Sequence, residues 1–206
     1  IMIKSKIAHY RLLISKTLLV LFIGALFISN HGSLENGNIS LALKSIGFIL
    51  ILVGCAGRLW CSLYIEGNKN VKLITTGPYS IVRNPLYVFS VMLILGYALA
   101  IQSIIVVGLM LILFLLIYLP TVYNEEKILL SMHIDSYKKY YDKTPRFWPD
   151  FKLYSSQEKD TLMDVNIKKI QRVIIEIAGF TFFYGLIILI DLLHQSGSIK
   201  TYFTLY

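Results

Sequence analysis

"LYVFSVMLILGYALAIQSIIVVGLMLILFLLIYL", residues 86–119, contains no Asp, Glu, Lys or Arg. Roughly 20 helical residues cross a hydrocarbon core of about 30 Å, so this stretch is too long for one crossing. Gln102 and Ser103 divide it at its polar point, and two spans, 86–100 and 103–119, joined as a helical hairpin are expected. Working outward, further apolar runs cover 11–28, 39–65 and 173–193. The whole chain of 206 residues is 56% hydrophobic and 16% charged, against about 25% charged in an ordinary soluble domain. The expected fold is therefore a single all-α integral membrane domain over 1–206 with five transmembrane helices. The run at 11–28 is not read as a secretory signal, because Lys16 interrupts it and no small-x-small cleavage site follows.

Charge at the span ends sets the orientation. Lys4, Lys6 and Arg11 precede the first run, and the next loop holds Glu35 but no cation. Lys69, Lys72 and Arg83 occupy the following loop, the hairpin tip is uncharged, and residues 120–172 hold ten Lys or Arg. Because positive loops stay inside, the N-terminus is expected in the cytoplasm and the C-terminus outside it. The two informative segments, 66–85 and 120–150, then share the cytoplasmic face, and 152–168 reads as a polar linker. A net charge of +8 could suggest nucleic acid, but these cations flank apolar runs, an arrangement that meets lipid headgroups instead. Cys55 and Cys61 lie about 120° apart on a helix, and His9, His31, His133 and His194 are scattered, so neither a disulfide nor a metal site is expected.

Chemistry concentrates in two short blocks. "TTGPYSIVRNPLY", residues 75–87, combines a permissive Gly77, a stiff Pro78, and Tyr79, Arg83, Asn84 and Tyr87. Pro85 favours a helical first turn, which places Arg83 and Asn84 immediately before the third span. The second block begins with Glu125 and Glu126 and continues through an amphipathic stretch to Pro145 and Pro149. Paired carboxylates near a bilayer are costly unless solvated or partnered. A small-molecule site must be built from these helix ends, since no nucleotide-binding α/β pattern is present. The glycines at 47, 54 and 57 read as close helix packing rather than cofactor contacts.

"LITTGPYSIVRNPLYV" resembles the T-[ST]-G-x-Y-x-x-x-R-H-P-x-Y segment of the isoprenylcysteine carboxyl methyltransferase and phospholipid methyltransferase family. "EEKILLSMHIDSYKKYYDKTPRFWP" is similar to that family's second block, with Tyr137, Tyr140, Pro145 and Pro149 at its spacing. The resemblance covers roughly residues 45–150. It implies an S-adenosylmethionine-dependent membrane transferase, a methyltransferase acting in lipid modification, whose cofactor is enclosed by helix ends and the amphipathic helix and loop. Carried over by position, Leu73, Ile74, Gly77, Tyr79, Asn84, Pro85, Leu86, Tyr87 and Glu125 would bind the cofactor. Arg83 and Glu126 would be catalytic, with Glu126 or Glu125 as proton acceptor, and Thr121 and Arg146 would meet the substrate.

This sequence departs from the pattern at Val71, Asn84 and Ile134. It also has Thr121 where carboxyl-methylating enzymes have an Arg that grips a carboxylate. Expected partners are a lipophilic or lipid acceptor and membrane lipids, with no nucleic acid or metal. Two other readings stay open: an NADPH-dependent membrane reductase of the sterol-reductase type, and a non-catalytic membrane scaffold.

Overall fold

A computed structural model describes residues 23, 24, 26–31, 37–65, 73–155 and 167–205. Its long helices are α1 (Gly37–Ile65), α3 (Pro85–Ile101), α4 (Ile104–Met132) and α6 (Ile167–Gln195). A single turn, α2 (Pro78–Ile81), precedes α3, and α5 (Ile134–Lys143) follows α4, with a 3-10 turn at Phe151–Leu153. Two three-residue strands, β1 (Ser29–His31) and β2 (Phe203–Leu205), pair in parallel near the two ends of the described chain.

Helices α1, α4 and α6 are each long and apolar enough to cross a membrane, and α3 is a shorter apolar helix of 17 residues. The chain is therefore an integral membrane protein. The expected first span, 11–28, lies almost wholly outside the described residues.

The close partnership is between α1 and α3. Their backbones approach where both sequences carry glycine. A Cβ on Gly96 would sit 2.7 Å from the Gly47 carbonyl oxygen, and one on Gly47 would meet the Gly96 carbonyl at the same distance. Farther along α1, Phe89 and Leu93 of α3 fill the space that side chains on Gly57 and Gly54 would need. In lipid, small residues let helices gain dispersion contacts that larger ones would block, so the glycines act through packing, as expected.

Helix α6 closes the bundle on α1 and α3. Ile51 and Cys55, Leu93 and Tyr97, and Tyr184, Ile187 and Ile190 share one core. Polar contacts then tie α6 in register. Lys44 pairs with Asp191, the Tyr184 hydroxyl donates to the Lys44 carbonyl, and the Tyr97 hydroxyl donates to the Phe180 carbonyl at 3.0 Å. Arg58 reaches Glu176 at 3.2 Å and donates to Ser90 at 2.8 Å. An intramembrane charge is costly alone, which explains why each of these cations is paired across helices.

The hairpin turn falls at the polar dipeptide. Gln102 adopts φ 56°, its N–H bonds the Ala98 carbonyl, and Ser103 caps α4 by accepting from the Val106 N–H at 3.3 Å. Gln102 also exchanges hydrogen bonds with Ser40 of α1. Helix α4 does not stop at residue 119 but continues unbroken to Met132, carrying Pro120 within it. Pro120 has no N–H to offer, and the Thr121 hydroxyl donates to the Ile117 carbonyl at 2.7 Å beside it. The carbonyl that Pro120 leaves without a backbone donor is that of Leu116, one residue earlier, so the hydroxyl bond does not replace the one lost. The chain breaks at His133, and α5 turns its buried Tyr137 and Tyr140 inward.

Candidate functional site

The site forms where α4 emerges from the bundle and meets the segment before α3. A cavity of about 180 Å³ is walled by Leu73, Ile74 and Tyr79 on one side and Asn84, Pro85, Leu86 and Tyr87 on another. Glu125 and Glu126 of α4 face them, with Tyr137 and Tyr140 of α5 below. Positioning follows from local sequence. Gly77 takes φ 60°, and the Tyr64 ring lies 2.3 Å from where a Cβ would be, so this turn accepts no other residue without displacement. Pro78 and Pro85 each open a helical turn, which leaves Arg83 and Asn84 on the short extended link between them.

A backbone strap, residues 144–155, holds that link in place. The Arg83 N–H donates to the Pro145 carbonyl at 2.9 Å, and the Asp150 N–H to the Ile81 carbonyl at 2.9 Å. Gly77 N–H donates to the Ser155 carbonyl at 2.8 Å, and the Tyr140 hydroxyl to the Tyr79 carbonyl at 2.7 Å.

The two adjacent carboxylates have different surroundings. Glu126 is 6% exposed and fully engaged. Arg146 meets it with two nitrogens, at 2.6 and 3.3 Å, and Asn84 Nδ2 donates to it at 3.0 Å. Arg83 Nε lies 3.5 Å away, an ion-pair separation too long and bent for a hydrogen bond, so Nε itself is buried without one. The Arg83 guanidinium instead donates to the Tyr141 carbonyl at 2.9 Å and stacks 3.9 Å from the Tyr141 ring centroid. Glu125 is exposed on the cavity side and accepts one bond, from the Tyr87 hydroxyl at 2.8 Å.

Burial dominates the ionisation of the tyrosines below. It pushes Tyr79 and Tyr140 well up from the ordinary phenol value and Tyr137 up to about 12, with Glu126 adding to the rise at Tyr137. Donating to the Glu126 carboxylate raises Arg146 further, so that residue keeps its charge. The Tyr79 hydroxyl is buried with no hydrogen-bond partner among the described residues.

The phospholipid methyltransferase family model matches residues 42–135. The cobalt-zinc-cadmium resistance protein CzcN of Cupriavidus metallidurans is 33% identical, over 90% of this chain and 84% of its own. The nickel-cobalt-cadmium resistance protein NccN of Alcaligenes xylosoxydans xylosoxydans is also 33% identical, over 91% of this chain and 82% of its own. The chain belongs to the phospholipid methyltransferase family. No solved structure matched it.

Phospholipid methyltransferase family members are membrane methyltransferases that generally use S-adenosylmethionine. Among the residues expected to bind that cofactor, Leu73, Ile74, Tyr79, Asn84, Pro85, Leu86, Tyr87 and Glu125 all line the cavity. Gly77 does not; it shapes the turn that presents Tyr79. Arg83 and Glu126 line the cavity but spend their charges on each other and on Arg146, Asn84 and Tyr141. Thr121 does not line it, since its hydroxyl is turned to its own helix. Arg146 stands behind Glu126 rather than in the lining.

Sequence reasoning missed Ile65, Ile128 and Leu129 as wall residues. Their signal was faint, because apolar residues at helix ends are ordinary in a membrane protein. Val71 lies outside the described residues.

Proposed function

We propose that this chain transfers a methyl group from S-adenosylmethionine to a lipophilic acceptor in the membrane. The observation that supports this most directly is the Tyr79 hydroxyl, buried at the cavity wall with no hydrogen-bond partner among the described residues. A buried polar group left unpaired costs about 1–3 kcal/mol, a penalty that a bound ligand's polar atom would remove. The rest of the lining fits the donor's chemistry. Leu73, Ile74, Pro85 and Leu86 offer an apolar wall to an adenosine, Tyr87 offers a ring face to a cation, and Glu125 offers a carboxylate. The enclosed volume is below the roughly 300–1,000 Å³ of ligand pockets, so a nucleoside-sized molecule would also fill the mouth beside Glu125 and Ile128.

When bound, the donor supplies an already activated methyl carbon. The chain's residues bind, orient and exclude water, which is most of what such a displacement requires. Glu126 is committed to Arg146, Asn84 and Arg83, so its part is to hold the link before α3 against α4. Glu125 is the carboxylate left to meet a cation or to take a proton from an amine nucleophile. Arg83 acts as a positioning residue, anchoring the link to α5 through Tyr141. In the bilayer we place five spans with a cytoplasmic N-terminus and the cavity on the cytoplasmic side, which the loop charges support.

Titration of the purified protein with S-adenosylhomocysteine and with NADPH tests the reading. The first should bind and the second should not, and Tyr79→Phe should weaken binding about fivefold, equivalent to about 1 kcal/mol. Binding of NADPH alone would establish the reductase reading instead, and binding of neither would favour a scaffold. A lipid extract gaining one methyl group when the chain is expressed would identify the acceptor. The resistance in the relatives' names suggests a cell-level readout: tolerance to cobalt or cadmium should fall with Glu125→Gln if this chain shares that role.

A further inference from the structure

We propose that the 144–155 strap is seated in the headgroup layer of the same bilayer, with Trp148 and Phe151 as its membrane-inserted anchors. The observation is an apolar surface held out from the protein by a fixed backbone. Trp148 is 87% exposed and Phe151 74% exposed. Neither lies on a loose loop. Pro145 and Pro149 flank Trp148, and the bonds from Arg83 N–H to Pro145 and from Asp150 N–H to Ile81 pin the backbone on both sides of it. Asp150 caps the 3-10 turn that carries Phe151 by accepting from the Lys152 N–H at 3.0 Å. Two large aromatic side chains presented this rigidly need a cover.

Continuity with the spanning surface names that cover. Tyr154, in the same strap, packs on Trp60 of α1 with ring centroids 6.4 Å apart, and Trp60 in turn meets Tyr64 edge-on at 6.5 Å. Trp60 and Tyr64 lie in the last two turns of a membrane-crossing helix, where aromatic side chains settle at headgroup depth because one end is apolar and the other wet. The strap's aromatics therefore extend a belt that begins on α1. Charge does not carry the contact. Residues 134–155 hold Lys138, Lys139, Lys143, Arg146 and Lys152 against Asp135, Asp142 and Asp150, and Arg146 is spent on Glu126. A zwitterionic surface suffices. Because the strap also bonds Gly77, Ile81 and Arg83, the bilayer supports the cavity wall from outside. The inference stands whether or not the cavity binds S-adenosylmethionine.

The chain has two tryptophans, so Trp60→Phe leaves Trp148 as the sole reporter. That variant, reconstituted at low density into phosphatidylcholine vesicles with brominated acyl chains, should lose most of its emission relative to plain vesicles. Iodide supplied on both faces should quench it weakly. Free quenching by iodide with no bromine effect would overturn the proposal in favour of solvent exposure. Protection from both quenchers would overturn it in favour of a second copy or another protein on the strap. Trp148→Phe provides the reference for Trp60 at the end of a span. If Trp60→Phe does not fold, the difference between wild type and Trp148→Phe reads the same quantity.

Discussion

The two limbs of the hairpin have nearly the same apolar character and opposite fates. Helix α3 buries Ser90, Leu93, Gly96, Tyr97, Ala98, Ala100 and Ile101 against its neighbours. Helix α4 leaves Leu109, Ile112, Leu113, Leu115, Leu116 and Ile117 exposed over the same depth. The difference lies in the small residues. Gly96 of α3 faces Gly47 of α1 at contact distance, whereas Gly108 of α4 has nothing near the position of a Cβ. Within a bilayer, hydrophobicity does not distinguish lipid from protein as a neighbour, and only close fit does. Helix α4 becomes well anchored only toward its C-terminal end, where Val122 and Glu126 are buried.

That contrast can be broken first at its polar end. Glu126→Ala should cost about 3 kcal/mol, the low end for removing one partner of a buried ion pair, because Arg146 is partly exposed. Denaturant or thermal unfolding in detergent measures the loss, and Glu126→Gln should recover part of it by keeping the Asn84 contact. At the packed limb, Gly96→Val should cost about 1–3 kcal/mol, since the opposing atom is a backbone oxygen that cannot swing aside.

Alkaline titration probes the ground beneath the end of α4. A tyrosine whose folded value exceeds the unfolded value near 10 contributes its stability fully below about pH 10. For Tyr137 that contribution disappears as pH rises through about 12. The unfolding transition should therefore fall over this window by on the order of 1 kcal/mol, with less of the fall in Tyr137→Phe. Smallest of all, Gly108→Ala on the loose limb should stay within about 0.5 kcal/mol of wild type. A large loss there would mean that α4 has a packing partner in the membrane.

Much of this was readable from residues alone. The uncharged run at 86–119 with Gln102 and Ser103 in its middle predicts the hairpin and its turn, because a polar pair cannot rest in hydrocarbon unpaired. Glycines on α1 announced close packing, and most of the cavity wall follows from the two sequence blocks. Less readable was where α4 would end. Pro120 and the charged residues after it suggest the end of the span, and the amphipathic stretch beyond suggests that helix goes on, but nothing local shows that it breaks at His133. The division of labour between Glu125 and Glu126 was not legible either. Adjacent residues on a helix point about 100° apart, and nothing in the pair itself says which direction holds two arginines.

Composition and periodicity by themselves determined that the chain lives in a membrane and where the hairpin turns. These are local consequences of hydration cost and chain geometry. Tertiary structure alone decided which carboxylate is buried, which arginines meet it, and that the Tyr79 hydroxyl finds no partner among the described residues. Those outcomes depend on side chains far apart in sequence, Asn84, Glu126 and Arg146 above all, arriving within hydrogen-bond distance of one another.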